Sequence, residues 1–172
     1  MVKFGSRLKI KRIYKSERKV YMAELQENLC TFYTSDYHLE MIMLPYINKN
    51  LKNNKDVYVF TQDNLDESIN HLVKNVNIED NIKKKILNIN WKNENEDKYN
   101  SLIENNNESI IFVKGNENYI KKVNKNLNQI KNYRNIEIID CYSLDEVGDK
   151  VNIITKNYEN ILMTEGKRKC DL

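Results

Sequence analysis

Polar side chains follow the first apolar segment of the chain, where Thr34, Ser35 and His38 lead into a helix-like segment. Ligands of α/β proteins bind outside the carboxyl ends of parallel strands, so these hydroxyl and imidazole groups are candidate ligand contacts. Polar or aromatic residues also end two further strand-like segments. The aromatic residues either line a pocket for a planar or apolar ligand or pack in the core and at its rim. The candidate ligand-binding residues are Tyr33, Thr34, Ser35, His38, Thr61, Gln62 and Trp91.

The turn after the first predicted strand has none of the glycines that a phosphate-binding loop requires. A loop of the form G-x-x-x-x-G-K-[ST] holds phosphates with bare backbone N–H groups, a lysine and a hydroxyl. The sequence contains four glycines, and no two of them are five residues apart: Gly5, Gly115, Gly148 and Gly166. Phosphoryl transfer of the usual kind is therefore not expected, and nucleotide binding without turnover is a third hypothesis for the function.

Other catalytic or metal-binding arrangements are not supported by the spacing of the residues. Cys30 lies near His38, but it falls inside a predicted strand, where a cysteine normally packs in the core. His38 and His71 have no cysteine cluster beside them, so we expect no zinc site. We predict a non-enzymatic protein without a metal or cofactor. Carboxylates near the first two strand ends could bind a cation or act as acid and base, but helix capping is their ordinary role: Asp36, Glu40, Asp63, Asp66 and Glu67.

Composition favours one globular domain in a reducing compartment. The 172 residues are 40% apolar and include a single proline, which is typical of a folded domain and not of a long linker. Three widely spaced cysteines form no C-x-x-C pair, which predicts a cytoplasmic protein without disulfides. No apolar run approaches the roughly 20 residues of a membrane span, and the basic N-terminus lacks the apolar region of a secretory signal.

Charge is distributed unevenly along the chain. Residues 1–19 carry a net charge of +7, whereas the remainder carries −4. Such a basic arm can bind nucleic acid, an anionic surface or an acidic partner. Its partly alternating residues 8–14 equally fit an edge strand that lysines protect from aggregation. The basic residues of the arm are Lys3, Arg7, Lys9, Lys11, Arg12, Lys15, Arg18 and Lys19.

Strand-like and helix-like segments alternate through the chain. Amphipathic segments between the strands predict helices, the first over about 36–53, with Ser35 as its N-cap and a bend at Pro45. A further helix is expected to start at Ser143 and to continue to about Tyr158. This order predicts an α/β fold with a mostly parallel sheet and helices on both faces. The predicted strands cover 29–33, 56–61, 86–91, 109–114, 136–142 and 160–164.

Five stretches of the sequence resemble the MEDS domain, a sensory domain named from methanogens, methylotrophs and the dichloromethane regulator DcmR. They are residues 28–33, 44–51, 55–61, 138–144 and 158–162. The MEDS domain is itself similar to the KaiC and RecA class of ATPases without their phosphate loop. The resemblance implies a three-layer RecA/KaiC-like architecture and a regulatory role based on binding. It divides the chain into a basic arm or edge element at 1–25, a MEDS-like domain at 26–164 and a charged tail at 165–172.

Three functions follow as hypotheses. The first is a cytoplasmic sensory or regulatory domain that binds a small ligand or a partner protein in signal transduction or transcription control. The second is a nucleic-acid or protein-docking module that uses residues 1–19. The third is a nucleotide binder without turnover. The sequence fixes no oligomeric state and leaves a homodimer open.

Overall fold

The computed structural model describes residues 29–170. These residues form a six-stranded sheet with the order β2-β3-β4-β1-β5-β6. The first five strands run parallel, and β6 pairs antiparallel with β5. The strands are β1 (Leu29–Tyr33), β2 (Asp56–Thr61), β3 (Ser109–Lys114), β4 (Ile136–Ser143), β5 (Asn160–Met163) and β6 (Gly166–Lys169).

Helices cover both faces of the sheet, which confirms the predicted fold class. The first three pack on one face around the buried residues Leu39, Ile69 and Ile86, and the last four pack on the other around Leu102 and Leu127. The helices are α1 (Asp36–Lys52), α2 (Asp66–Asn75), α3 (Asp80–Leu87), α4 (Glu96–Glu104), α5 (Glu117–Lys131), α6 (Leu144–Val147) and α7 (Val151–Thr155). The predicted arm at 1–25 lies outside the described residues.

The side chains of the buried strands alternate between the two faces of the sheet and contribute to a hydrophobic core on each face. In β3 every residue is buried, and Ile110 and Phe112 point to one core while Ile111 and Val113 point to the other. Side chains of a strand alternate between the two faces of the sheet, so a continuous apolar run fits a strand covered on both sides. The predicted N-cap of α1 is confirmed, because Ser35 Oγ accepts a hydrogen bond from the backbone N–H of His38.

The strand predicted at 86–91 is wrong. Ile86 and Leu87 belong to α3, and residues 88–91 form a loop that joins no sheet. Ile82 and Ile86 are buried at helical i, i+4 spacing, and this pattern overrides the local alternation farther along the chain. The Trp91 indole donates to the Ile86 carbonyl at 2.9 Å and closes the loop.

Two differences from the sequence prediction concern the C-terminal part. The helix predicted after Ser143 is divided into α6, a 3₁₀ turn at Gly148–Lys150 and α7. Gly148 has a φ of 49°, a backbone conformation that interrupts a right-handed helix and suits glycine. Within the segment predicted as a charged tail, Gly166–Lys169 forms β6 against β5.

Candidate functional site

The carboxyl ends of four neighbouring strands lie at one edge of the sheet. The register pairs Thr61 with Lys114, Lys114 with Cys141, and Tyr33 with Ser143. The loops that follow β1, β2, β3 and β4 therefore emerge side by side. We name this region the carboxyl edge, defined by residues 34–40, 62–67, 114–117 and 143–150.

Lys114 is the central charged residue of the carboxyl edge. It ends the buried strand β3 and is only 3% exposed. Its ammonium lies 3.3 Å from Asp36 Oδ1 and 3.0 Å from Asp63 Oδ2, and it also lies 5.8 Å from the centre of the Tyr33 ring, within cation–π range. Burial alone would lower the pKa of Lys114, but the hydrogen bond to Asp63 and nearby negative charge outweigh it and raise the pKa.

The two carboxylates that bind Lys114 remain accessible from outside. The side chains of Asp36 and Asp63 are 57% and 70% exposed. A carboxylate offers about four lone-pair positions, so contact with one ammonium leaves further acceptor capacity on each. Lys114 thus provides a buried positive charge at the carboxyl edge, and the exposed carboxylates of Asp36 and Asp63 lie beside it.

A third carboxylate lies deeper beneath this edge. Glu40 is 3% exposed, and its Oε1 has no hydrogen-bond partner among the described residues. Burial raises its pKa, a hydrogen bond with Ser68 opposes the increase, and the charge of Asp36 adds to it. Thr31 Oγ1 is likewise buried and lacks a partner within residues 29–170.

The β1–α1 turn is held by its own polar groups. The Thr34 backbone N–H donates to His38 Nδ1 at 3.1 Å, and Thr34 Oγ1 lies 3.3 Å from the same nitrogen. Since Nδ1 accepts from a backbone N–H, the proton of the neutral imidazole sits on Nε2. The hydroxyl of Ser35 caps α1. These three candidates therefore lie at the edge, where they also stabilise the turn.

Thr61 and Gln62 connect the adjacent loops. The Thr61 hydroxyl is buried and donates to the Asp63 carbonyl at 2.8 Å. Gln62 Oε1 accepts from the backbone N–H of Asn116 at 2.9 Å and joins the β2–α2 loop to the β3–α5 loop. A Cβ at Gly115 would approach that same oxygen to 2.8 Å and would overlap the Tyr119 ring. Glycine is therefore required where these two loops meet.

Trp91 lies in the same hydrophobic core as Tyr33 but, unlike Tyr33, belongs to no strand. Its side chain is 1% exposed, its indole N–H is bonded to Ile86, and its backbone carbonyl accepts from Leu65 N–H. Of the other six candidates, Thr34, Ser35, His38 and Gln62 lie in the carboxyl edge, and Tyr33 and Thr61 are the last residues of the strands that lead into it. Sequence reasoning missed Lys114, although a lysine that ends an apolar strand immediately before a glycine is a readable signal.

Acidic residues dominate the carboxyl edge. Its four segments contain nine acidic residues and two lysines, so the edge is strongly negative and repels phosphate. The acidic residues are Asp36, Glu40, Asp63, Asp66, Glu67, Glu117, Asp145, Glu146 and Asp149, and the lysines are Lys114 and Lys150.

Cys30 takes no part in this edge. As predicted, it is fully buried, and its side chain packs in the core beneath α5. Burial raises the pKa of the Cys30 thiol to about 12, so the thiolate that a nucleophile or metal ligand requires is scarce at neutral pH. Residues 29–170 contain no group of three or more His, Cys, Asp or Glu side chains placed to hold a metal ion. No helix in this part of the chain is long and apolar enough to cross a membrane.

No family model, curated protein or solved structure shows significant similarity to this chain. The resemblance to the MEDS domain therefore stays a prediction.

Proposed function

We propose that this protein is a non-catalytic, cytoplasmic sensory or regulatory domain whose carboxyl edge binds a positively charged ligand. The ligand is a small cation or a basic segment of a partner protein in signal transduction or transcription control. The observation that carries the proposal is the position of Lys114, buried between the exposed carboxylates of Asp36 and Asp63. The resemblance to a sensory domain without a phosphate loop supports the same role.

The net side-chain charge of the carboxyl edge, compared with the charge of its helix dipoles, favours a cationic ligand over an anionic one. Each helix N-terminus carries about half a positive charge, so α1, α2 and α5 together contribute about 1.5 charges. The four segments of the carboxyl edge carry nine acidic residues against two lysines. The side-chain charge therefore exceeds the helix dipoles several-fold and selects against a triphosphate.

The exposed oxygens of Asp36 and Asp63 are the contacts we assign to the ligand. Lys114 is covalently fixed at the base of the site, where it holds both carboxylates in place and limits their mutual repulsion. Binding then requires no movement of the sheet. Because exposed charges are screened by salt, the affinity should decline as ionic strength rises.

Thermal melting with three probes tests the proposal. Putrescine, a dication, should raise the melting temperature at low salt, whereas glycerol and ATP should not. The double variant Asp36→Asn with Asp63→Asn should lose the effect of putrescine. The matched control, Asp80→Asn with Asp97→Asn, removes two acidic residues outside the carboxyl edge and should retain it.

Two results would overturn the proposal. Stabilisation by ATP without stabilisation by putrescine would favour the nucleotide-binding alternative. An equal response of the edge variant and the control variant would show that putrescine binds elsewhere or without specificity.

A further inference from the structure

A buried carboxylate outside the carboxyl edge lies on the face of the sheet that α5 covers. Asp140 projects from β4 toward α5 and is 3% exposed. Its Oδ2 accepts from the Tyr158 hydroxyl at 2.6 Å and from Asn124 Nδ2 at 2.8 Å. The Tyr142 and Tyr158 hydroxyl oxygens lie 2.8 Å apart, and because Tyr158 donates its proton to Asp140, Tyr142 is the donor between the two tyrosines.

Two acceptor atoms of this network are left without donors. Asp140 Oδ1 and Asn124 Oδ1 are both buried and have no hydrogen-bond partner in the described part of the chain. A buried acceptor without a partner is costly, and a native protein rarely retains two next to each other without reason. Asn124 Nδ2 is already used to bind Asp140, so its oxygen must face another group.

The two residues that carry these atoms line a recess of about 180 Å³. Asp140, Asn124 and Tyr158 form its polar interior, and Asn128 and Asn157 lie at its exposed rim. The recess is several times the volume of one water molecule. It is accessible from solvent between α5 and the segment that precedes β5.

We propose that this recess binds the primary ammonium group of a small molecule. An ammonium group has three N–H donors, and two of them match the unpaired oxygens of Asp140 and Asn124. An amide oxygen of Asn128 or Asn157 supplies the third acceptor once its side chain rotates inward. The carboxylate supplies the compensating negative charge, so that the ligand is bound as an ion pair.

The chemistry of the lining favours an ammonium group over a divalent metal ion. Among residues 29–170, Asp140 is the only carboxylate that lines the recess, whereas protein sites for hard divalent cations normally combine several carboxylates. The asparagine oxygens are directional acceptors suited to N–H donors. The recess therefore selects for a group that carries one positive charge and several hydrogen atoms.

The charged and titratable groups around Asp140 are Lys131 on α5, Tyr142 on β4, Tyr158 before β5 and Cys30 on β1. Burial raises the pKa of Asp140 to about 6, although the bonds from Tyr158 and Asn124 and the charge of Lys131 lower it. Ammonium binding requires the ionised carboxylate. Affinity should therefore increase from pH 5 to pH 7.

NMR titration with methylammonium chloride tests this site. Saturable shifts are expected at the side-chain amides of Asn124, Asn128 and Asn157. Tetramethylammonium chloride at the same concentration has the same charge without N–H donors and should cause none. Asp140→Asn should weaken methylammonium binding by at least about tenfold, the factor expected for one charge-assisted hydrogen bond.

Variants at the exposed rim of the recess distinguish an effect on binding from an effect on folding. The double variant Asn128→Ala with Asn157→Ala changes two exposed side chains and should weaken binding at unchanged melting temperature, whereas Asn152→Ala, exposed on α7 outside the recess, should bind as the wild type does. The double variant Asp36→Asn with Asp63→Asn should also leave this site intact, which separates it from the carboxyl edge. Absence of saturable shifts, or equal shifts with tetramethylammonium, would mean that the recess holds water only and would overturn the proposal.

Discussion

Replacing Asp140 by asparagine should stabilise the protein at neutral pH. The carboxylate is nearly fully buried, and the hydrogen bonds from Tyr158 and Asn124 compensate only in part for the water it has lost. An asparagine has almost the same shape and retains an oxygen that can accept from Tyr158. The replacement therefore removes a buried charge without opening a cavity.

The magnitude follows from the pKa of Asp140, which burial raises from an ordinary value of 3.8 to about 6. At about 1.4 kcal/mol for each pH unit, the folded state disfavours the ionised form by about 3 kcal/mol. Between these two pH values the folded state binds more protons than the unfolded state. Stability should therefore fall as the pH rises through this range, and the full penalty should be present above about pH 6.

Urea denaturation of the wild type and Asp140→Asn at several pH values measures this penalty. Other carboxylates titrate in both proteins, so the quantity to follow is the difference in unfolding free energy. It should be about 3 kcal/mol at pH 7 in favour of the variant and should approach zero below pH 4. Asp149→Asn, at an exposed position, should stay within about 0.5 kcal/mol of the wild type. The reasoning is refuted if Asp140→Asn is no more stable at pH 7, or if the difference does not change between pH 4 and pH 6.

Three further changes test the structure in the same denaturation assay. Gly115→Ala should destabilise the fold by about 1–3 kcal/mol, because its methyl group would overlap the Tyr119 ring; an unchanged midpoint would contradict this packing. Pro45→Ala should stabilise the exposed interior of α1 by about 1–3 kcal/mol by restoring a backbone donor, and a loss of stability would contradict it. Trp91, the single tryptophan, should emit at short wavelength in the folded state and shift to the red on unfolding. Trp91→Phe should cost about 1–3 kcal/mol, because it removes the indole hydrogen bond to the Ile86 carbonyl and puts a smaller ring in the core. Emission typical of exposed indole in the folded protein would contradict the buried position.

Local sequence signals predicted most elements of the sheet. The bounds of β1, β2 and β3 agree with the predictions because each is a short apolar run with polar ends. Ser35 could be assigned as a cap because a serine before a helix satisfies a nearby N–H group. The strand prediction for residues 86–91 failed because alternation over a few residues does not distinguish a strand from a helix end followed by a loop.

The sequence predicted only part of the candidate site. The sequence pointed to the carboxyl ends of the strands, and Thr34, Ser35 and Gln62 do lie there. It also proposed Trp91 as a pocket wall, but an aromatic side chain beside a strand end is equally suited to the core. The burial of Trp91 depends on the packing of α2 and α3, which periodicity alone does not specify.

The α/β class, the absence of a glycine-rich phosphate loop and the acidic character of the segments after the strands can be read from the amino-acid sequence, because composition and short-range patterns encode these properties. Which charged residues contact one another depends on the folded arrangement of the strands. Lys114 reaches Asp63 across 51 residues of chain, and Asp140 gains Asn124 and Tyr158 from two separate segments. Such contacts depend on strand order and register, which arise from the collective burial of both sheet faces and have no signature in any single stretch of residues.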